Sequence, residues 1–316
     1  MHVFRNAPGK IDPGVRASRP SVVAIGNFDG VHRGHLALVN RCKDMATAGD
    51  LVAVVTFEPL PQAFFRPEHA PARLTTVHQK LGQLDAAGVN LVWLMKFGSE
   101  LASLSATDFV EQALIRDLGS KCIVIGEDFR FGRGREGNAG LLREFGAQMG
   151  FTVETVAAVE FDGQRISSSG IRQKLATGDF SSAANWLGRP FTMEGHVVRG
   201  ARLGKKLGFP TANLKIRARP SPLQGVFAVF ARQAGGHWLP AVSNLGYRPA
   251  VGGREPLLEV HFFDFDKDLY GQRLEVQFVA KLRDEMDFDS LDDLIVQMKQ
   301  DEIQARNCLA QTAMPE

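Results

Sequence analysis

The sequence predicts two domains, an N-terminal α/β domain with an open parallel sheet and a small C-terminal antiparallel β-barrel that ends in a helix. The length of 316 residues favours about two domains, each large enough to bury its own core. Between residues 22 and 159, apolar strand-like runs alternate with helical patterns, which is typical of βαβ units. Beyond Gly188-Arg189-Pro190, strand-like runs follow one another directly, as in a barrel. We therefore expect the domains to be residues 1–187 and 188–316.

The composition narrows the functional class. Hydrophobic residues make up 44% of the chain and charged residues 23%, which is ordinary for a soluble globular protein. There are 37 Lys+Arg against 35 Asp+Glu, so no basic excess favours a nucleic-acid partner. Cys42, Cys122 and Cys308 form no C-x-x-C site, and no apolar run approaches the roughly 18–20 residues that cross a bilayer. We expect a cytoplasmic protein with small-molecule substrates and no membrane partner, as a monomer or a weak homo-oligomer.

The predicted elements follow in chain order. Residues 1–20 are rich in proline and glycine and are predicted to be an irregular lead-in. In the first domain, the predicted strands are 22–25, 51–57, 91–96, 122–125 and 152–156, and the predicted helices are 35–48, 77–87, 107–118, 138–149 and 179–187. In the second domain, strands are predicted over 191–198, 226–232, 239–243, 257–263 and 274–280, before a helix that opens at Ser290. One face of that helix is predicted to carry Leu291, Leu294, Ile295, Met298 and Ile303.

The first chemical signal is the stretch Gly26-Asn27-Phe28-Asp29-Gly30-Val31-His32-Arg33-Gly34-His35, which joins a buried strand to a helix. Unpaired N–H groups and the positive end of the helix dipole favour an anion at such a junction. Two histidines three positions apart project the same way, and the glycines let a bulky anion approach the backbone. These features predict a phosphate-binding site. The stretch is neither a P-loop nor a G-x-G-x-x-G dinucleotide fingerprint.

Two further segments carry the same kind of signal. Residues 126–138 follow a predicted strand and hold three arginines among glycines and aromatic residues, which suits nucleotide phosphates and a flat base. Residues 165–175 place three consecutive serines between Arg165 and Arg172 at the start of a helical pattern. A helix N-cap explains one serine. Three hydroxyls between two arginines predict a second anion site.

These segments resemble the motifs of nucleotidylyltransferases, and the whole N-terminal region resembles the FAD synthetase module of bacterial bifunctional riboflavin kinase/FAD synthetases. The first stretch is similar to the H-x-G-H signature, residues 128–132 to a D-F-R-F-G loop, and residues 166–172 to I-S-S-T-x-I-R, with Ser169 and Gly170 as departures. The resemblance implies a Rossmann-like domain in which His32 and His35 are catalytic and hold the ATP phosphates. The residues that it assigns to ATP binding are Gly26, Asn27, Phe28, His32, His35, Asp128, Arg165, Ser168, Ser169 and Arg172.

The C-terminal domain carries its own signals. Residues 200–213 read G-A-R-L-G-K-K-L-G-F-P-T-A-N, in which lysines between glycines suit a loop that covers phosphate. Thr211 and Asn213 put two neutral oxygens on one side of an extended chain, and Mg²⁺ needs few protein oxygens when phosphates and waters complete its shell. Glu259 and His261 share a face of a predicted strand. A carboxylate there is expected to point into the barrel, either ion-paired or positioned for catalysis.

This second set closely matches the G-F-P-T-A-N motif of riboflavin kinases. Residues 244–250 and 282–285 are also similar to that family, with Ala250 where a threonine is usual. The resemblance implies that Thr211 and Asn213 hold Mg-ATP and that Glu259 is the general base for the riboflavin 5′-hydroxyl. The remaining residues that it assigns to ATP and flavin binding are Gly200, Lys205, Gly208 and Arg283.

Both halves together predict a bifunctional enzyme that uses Mg²⁺. Its barrel phosphorylates riboflavin to FMN with ATP, and its α/β domain transfers AMP from a second ATP to FMN, giving FAD and pyrophosphate. Two alternatives are a nucleotidylyltransferase for another phosphorylated acceptor and a non-catalytic flavin-binding protein. Product analysis with riboflavin and ATP distinguishes the first, and a turnover assay distinguishes the second.

Overall fold

The computed structural model describes residues 1–5, 7–10, 19–200, 207–216, 220–250, 253–265 and 267–315. The chain divides into two compact units. The first contains Met1–Pro71 and Val77–Ser167, and the second contains Ser168–Glu316 together with the short segment Ala72–Thr76. Among the described residues, no helix is both long and apolar enough to cross a membrane.

A six-stranded parallel sheet forms the centre of the first unit, with the strand order β1-β4-β3-β2-β5-β6. The chain runs outward from β2 through β3 to β4 and then returns to β5 on the other side of β2. In open α/β sheets, ligands bind outside the carboxyl ends of the strands at such a reversal. The strands are β1 (His2–Phe4), β2 (Ser21–Ile25), β3 (Leu51–Glu58), β4 (Leu91–Lys96), β5 (Ser120–Gly126) and β6 (Thr152–Val156).

Both faces of this sheet are buried, because alternate residues of its strands belong to different cores. Val23 packs in one core with Trp93, whereas Val22 packs in the other with Leu84. Burial on both faces is usual for parallel sheets and accounts for the continuous apolar runs in the sequence. The helices are α1 (Arg33–Met45), α2 (Pro61–Phe65), α3 (Val77–Ala86), α4 (Ser99–Ala102), α5 (Ala106–Asp108), which continues as the π-helix Phe109–Asp117, and α6 (Ala139–Met149). An antiparallel pair, β7 (Glu160–Phe161) and β8 (Gln164–Arg165), follows.

The predicted parallel sheet is confirmed. The prediction that residues 1–20 are irregular is wrong for His2–Phe4, which form a strand. His2–Phe4 pairs in parallel with β4 at the edge of the sheet. Three residues are too few to show a strand periodicity, so the sequence pattern could not reveal this strand. Residues 11–18 of the lead-in lie outside the described residues.

The second unit is built on a closed antiparallel barrel with the strand order β10-β13-β12-β11-β14-β9, in which β9 also pairs with β10. The predicted barrel is therefore confirmed. Its sixth strand, β10, is an addition to the five expected ones, because the polar residues Asn213 and Lys215 interrupt its apolar run. The strands are β9 (Thr192–Val198), β10 (Ala212–Ile216), β11 (Gly225–Gln233), β12 (Leu239–Ala250), β13 (Gly253–Phe262) and β14 (Arg273–Arg283).

Two short helices that precede the barrel also belong to the second unit, α7 (Ser168–Ala176) and α8 (Phe180–Leu187). The ring of Phe180 packs against Phe227 and Phe278 of the barrel, with centroids 5.9 Å away in each case. The second compact unit thus begins upstream of residue 188, and a functional boundary near that residue stays a prediction.

The C-terminal helix α9 (Leu291–Ala310) begins at Ser290, as expected. Its expected apolar face is wrong at two positions, since Leu291 and Ile303 are 58% and 60% exposed. The buried face instead includes Asp301, a polar residue that hydrophobic periodicity cannot select. The helix packs on the outer barrel wall through Ala305 and Leu309, against Ala228 and Phe230.

Candidate active sites

The turn that follows β2 lies at the carboxyl edge of the first unit's sheet, where the strand order reverses. Phe28 and Val31 have φ angles of 48° and 40°, a left-handed conformation that is uncommon for residues other than glycine. Val31 is β-branched, so this conformation is strained and persists only because the surrounding structure holds it. One such contact is the bond from the Gly26 N–H to the Val55 carbonyl, at 3.1 Å.

His32 and His35 are locked together in the first turn of α1. The Nδ1 atom of His32 accepts from the His35 N–H at 3.3 Å, and Nδ1 of His35 accepts from the His32 N–H at 3.4 Å. The rings stack with centroids 3.6 Å apart, and the buried Phe28 ring packs on His35 at 4.9 Å. Because each Nδ1 is an acceptor, a neutral ring carries its proton on Nε2. The pair can therefore offer Nε2–H donors at a helix N-terminus, where an anion is favoured.

A buried lysine lies against this turn, and the sequence pattern did not single it out. Lys80 of α3 is completely buried, and its Nζ donates to the Asn27 carbonyl at 2.8 Å and to Thr56 Oγ1 at 3.3 Å. The Thr56 hydroxyl, at the end of β3, donates to the same carbonyl at 2.9 Å. The available signal was a lone lysine on the helix face that carries the buried Leu84.

The loop after β5, residues 126–138, starts beside the turn because β2 and β5 are neighbours in the sheet. Asp128 in this loop pairs with Arg165 of β8, with 2.7 Å between Oδ2 and Nη2. The two side chains are 68% and 51% exposed, so the pair is accessible to a ligand and contributes little to stability.

The chain after β8 passes close to the histidines. A Cβ added at Gly34 would lie 3.2 Å from the His32 ring, which is crowded, and 3.9 Å from the Ile166 carbonyl, which is an ordinary van der Waals contact. The first unit therefore gathers most of the residues predicted for ATP binding at one edge of its sheet: Gly26, Asn27, Phe28, His32, His35, Asp128 and Arg165.

The other residues predicted for this site, Ser168, Ser169 and Arg172, belong to the second unit. Ser168 begins α7 and is half-buried, whereas Ser169 is exposed. The guanidinium of Arg172 donates from Nε to the Ala72 carbonyl. This bond ties α7 to the segment Ala72–Thr76 within the second unit.

Four of the residues predicted for phosphorylation line one cavity in the second unit. The cavity has a volume of about 290 Å³. Its walls come from one face of the barrel, from residues 285–288 and from α9. The four residues, which lie in three separate segments of the sequence, are Thr211, Asn213, Glu259 and Arg283.

Glu259 occupies the middle of a polar row that crosses three strands. Its direct cross-strand partners are Asn213 on β10 and Asn244 on β12, and all three line the cavity. The Oδ1 atoms of both asparagines are buried and have no hydrogen-bond partner among the described residues. A buried acceptor without a partner costs ~1–3 kcal/mol, so these atoms are suited to a bound group. Asn244 was not among the predicted site residues.

The expectation that Glu259 points into the barrel is wrong. Leu258 and Val260 are completely buried, and alternation along β13 places Glu259 and His261 on the opposite, outer face. Glu259 and His261 on this outer face line the 290 Å³ cavity. His261 Nδ1 lies 2.8 Å from the Pro210 carbonyl, a contact that fixes the start of the P-T-A-N segment.

Arg283 is held at the cavity by Asp301 of α9. Its Nε lies 2.9 Å from Oδ1 and its Nη2 lies 2.7 Å from Oδ2. Both side chains are largely buried, at 18% and 5% exposure, and Gln297 donates to the same Oδ1 at 2.9 Å. This bidentate pair connects β14 to α9, and Asp301 is a site residue that sequence reasoning missed.

A second cavity of about 560 Å³ shares Thr211 and Asn213 with the first. Gly200 lines it, and a Cβ added there would lie 2.7 Å from the Asn213 side chain, so no larger residue fits. Gly208, with a φ of 87°, lies in the turn before the P-T-A-N segment. Lys205 lies outside the described residues.

Comparison with known proteins assigns both halves of the chain. The family model described as FAD synthetase matches residues 15–170, and the model described as riboflavin kinase matches residues 187–309. The bifunctional riboflavin kinase/FMN adenylyltransferase of Escherichia coli K12 is 43% identical over 286 residues, which cover 90% of this chain and 91% of that protein. The protein of the same description from Pseudomonas fluorescens is 44% identical over 297 residues, covering 93% and 95%.

A solved structure from Streptococcus pneumoniae, described as a macrolide-efflux protein, is 31% identical to this chain. It matches with a TM-score of 0.81 and covers 97% of this chain and 99% of that one. Efflux is a description of that protein alone, whereas the two family models and the curated relatives agree with the motifs of both halves of the chain. The chain therefore belongs to the bifunctional riboflavin kinase/FMN adenylyltransferase family, phosphorylating riboflavin to FMN with ATP and converting FMN and ATP to FAD.

Proposed function

We propose that the 290 Å³ cavity is the riboflavin kinase active site and that Glu259 is its general base. The observation that carries this proposal is that Thr211, Asn213, Glu259 and Arg283 line one cavity. Glu259 accepts the proton of the riboflavin 5′-hydroxyl while the hydroxyl oxygen attacks the γ-phosphorus of ATP. The bond from that phosphorus to the β–γ bridging oxygen breaks, and ADP leaves.

The residues present fit a magnesium ion at Thr211 and Asn213. Asn213 presents a buried Oδ1 without a hydrogen-bond partner among the described residues. The described part of the chain contains no group of three or more His, Cys, Asp and Glu residues that could hold a metal. Mg²⁺ matches this donor set, because phosphates and waters supply its remaining ligands. When bound, the ion would neutralise charge on the transferred phosphoryl group.

The two cavities suggest how the substrates are divided. We place riboflavin in the cavity with Glu259 and Arg283, since its lining also includes apolar side chains such as Val226 and Phe288. We place ATP in the larger cavity beside Gly200. The shared residues, Thr211 and Asn213, would then lie where the γ-phosphate meets the flavin hydroxyl.

Adenylyl transfer is assigned to the edge of the parallel sheet. An oxygen of the FMN phosphate attacks the α-phosphorus of ATP, the bond to the α–β bridging oxygen breaks, and pyrophosphate leaves. His32, His35 and Arg165 donate to the phosphates, while Gly26, Asn27 and Phe28 shape the turn. Asp128 is assigned to this site as well, and the assignment of Ser168, Ser169 and Arg172 to ATP stays a prediction from the family resemblance. Positioning and placed donors account for most of such catalysis.

The division into residues 1–187 and 188–316 is proposed as the division of labour between the two reactions. The two matching family models, with a gap at residues 171–186, support it. We further propose that the enzyme acts in the cytoplasm, where ATP is supplied, as a monomer or weak homo-oligomer.

The test is a time course with purified full-length chain, riboflavin, ATP and Mg²⁺, with chromatographic separation of riboflavin, FMN and FAD. We expect FMN to accumulate first and FAD to follow, and chelation of Mg²⁺ by EDTA to stop phosphorylation. A chain that adenylylates added FMN but leaves riboflavin unchanged would contradict the assignment of the barrel.

A further inference from the structure

Two buried side chains hold one backbone atom of the strained turn after β2, the carbonyl oxygen of Asn27. The Asn27 carbonyl accepts from Lys80 Nζ at 2.8 Å and from Thr56 Oγ1 at 2.9 Å. Lys80 and Thr56 are both completely buried, and they lie 3.3 Å from each other. They come from α3 and β3, so two rigid elements converge on one atom of the turn.

A lysine at this position is not required by the fold alone. Burying a lysine amine is costly unless it is hydrogen-bonded, and Leu84, one turn further along the same helix face, is a buried apolar residue. An apolar residue would complete that face at lower cost. The bond from the buried Lys80 amine to the Asn27 carbonyl offsets part of this cost, and that carbonyl belongs to the turn.

The conformation of this turn also sets the position of the two histidines. Asn27 directly precedes Phe28, and both Phe28 and Val31 have left-handed φ angles that hold only under external constraint. The next residue, His32, is the N-cap of α1 and shares two reciprocal bonds with His35. Four residues separate Asn27 from His32, so we expect a shift of the Asn27 carbonyl to displace the first imidazole.

We propose that Lys80 and Thr56 are positioning residues for adenylyl transfer. They hold the Asn27 carbonyl, and with it the turn, in the conformation that presents His32 and His35 to the ATP phosphates. This inference rests on the proposed ATP site at the two histidines.

The experiment compares the full-length variants Thr56→Val, Thr56→Ser and Lys80→Met. Thr56→Val should lower kcat/KM for FMN adenylylation by about three- to tenfold, the loss of one hydrogen bond. Thr56→Ser, which keeps the hydroxyl, should restore it. Lys80→Met should cost on the order of 10²-fold, as a displaced catalytic group does. The loss should include a raised KM for ATP, and riboflavin phosphorylation by the same molecules should be unchanged.

The control is Thr152→Val, at an exposed threonine. The Thr152 hydroxyl also donates to a backbone carbonyl, that of Lys121, but at the amino end of β6. This variant should keep both activities. Because Lys80 and Thr56 act on one atom, the double variant Thr56→Val/Lys80→Met should lose little more than Lys80→Met alone.

A purely structural role predicts a different result, in which the variants unfold at lower temperature but keep normal kcat and KM per folded molecule. That result, or equal activity of Thr56→Val and Thr56→Ser, would overturn the inference. Should Lys80→Met fail to fold, the two Thr56 variants decide. The variant His35→Ala separates the two proposals. If His35→Ala retains full adenylylation activity, the proposed ATP site is wrong. If His35→Ala loses this activity while Thr56→Val keeps it, only the present inference is rejected.

Discussion

Asn213 of β10 and Glu259 of β13 stand directly opposite each other on neighbouring antiparallel strands. The Cβ atoms of such partners lie about 4.5–5.5 Å apart, so the proposed metal ligand and the proposed base face the same small volume. Asn244 of β12 flanks Glu259 on the other side. Phosphorylation can therefore be probed at two adjacent groups whose proposed chemical roles are distinct.

Replacement of Glu259 by Gln should remove the base and preserve the volume of the side chain. Loss of a general base typically costs ~10²–10⁴-fold in rate. We expect FMN formation from riboflavin to fall by about that factor, with FAD formation from added FMN close to wild type. Glu275→Gln is the matched control, since Glu275 lies on β14 and pairs with Arg232 instead of lining either cavity. Normal phosphorylation by Glu259→Gln would reject Glu259 as the base.

Replacement of Asn213 by Leu should separate metal binding from stability. The substitution removes a buried Oδ1 that has no partner among the described residues, so the unfolding temperature should stay level or rise. The Mg²⁺ concentration needed for half-maximal phosphorylation should rise roughly ten- to hundredfold, the worth of one charge-assisted contact. An unchanged Mg²⁺ dependence would exclude Asn213 as a ligand.

Replacement of His35 by Ala should affect the other reaction. One donor to a transition state is worth roughly 10²–10³ in rate, and FAD formation from FMN should fall by about that factor while riboflavin phosphorylation persists. The reciprocal bonds with His32 also predict a stability loss of about 1 kcal/mol. His2→Ala, on the exposed edge strand β1, is the control. Equal losses in both reactions would show that the two sites act as one coupled unit.

The stability of the first unit should depend on Asp50 at low pH. The Lys121 ammonium, together with the hydroxyl and N–H of Thr47, lowers the pKa of Asp50 to about 2. A depressed folded-state pKa stabilises the fold above the unfolded value of about 3.9, and this contribution disappears as the pH falls toward 2. Asp50→Asn should therefore be less stable than wild type at pH 7, with the difference shrinking below about pH 4. Chemical denaturation at pH 7 and below about pH 4 measures the free energy of unfolding of both proteins, with Asp44→Asn at an exposed position as the control. A difference in unfolding free energy that does not change with pH would contradict this prediction.

The domain boundary can be tested with two fragments, residues 188–316 and 168–316. Both should phosphorylate riboflavin and make no FAD. The shorter fragment lacks Phe180, whose ring packs against Phe227 and Phe278, and loss of a buried phenylalanine costs about 3–5 kcal/mol. Thermal unfolding should place the shorter fragment well below the longer one. A folded 188–316 fragment without kinase activity would move the functional boundary upstream.

The sequence by itself determined the two architectures, because these features are encoded locally, and its motifs predicted most of the candidate site residues. A buried apolar run followed by Gly26 and the two histidines specifies a strand end, a tight turn and a helix start within one short stretch. Successive strand runs without helices specify an antiparallel sheet in the same way. Such signals depend on neighbours in the chain, so they need no tertiary contact to be read.

Only the tertiary structure decided which distant residues support those sites. Lys80 reaches the Asn27 carbonyl, Asp301 holds Arg283, and Asn244 extends the row beside Glu259. No local sequence pattern predicts these pairs, because each depends on the register between strands or on the packing of a helix that is distant in the chain. The face of β13 that Glu259 occupies also depended on the barrel. Alternation fixes that two residues share a face, but only packing decides which face fills the barrel and which face lines the cavity.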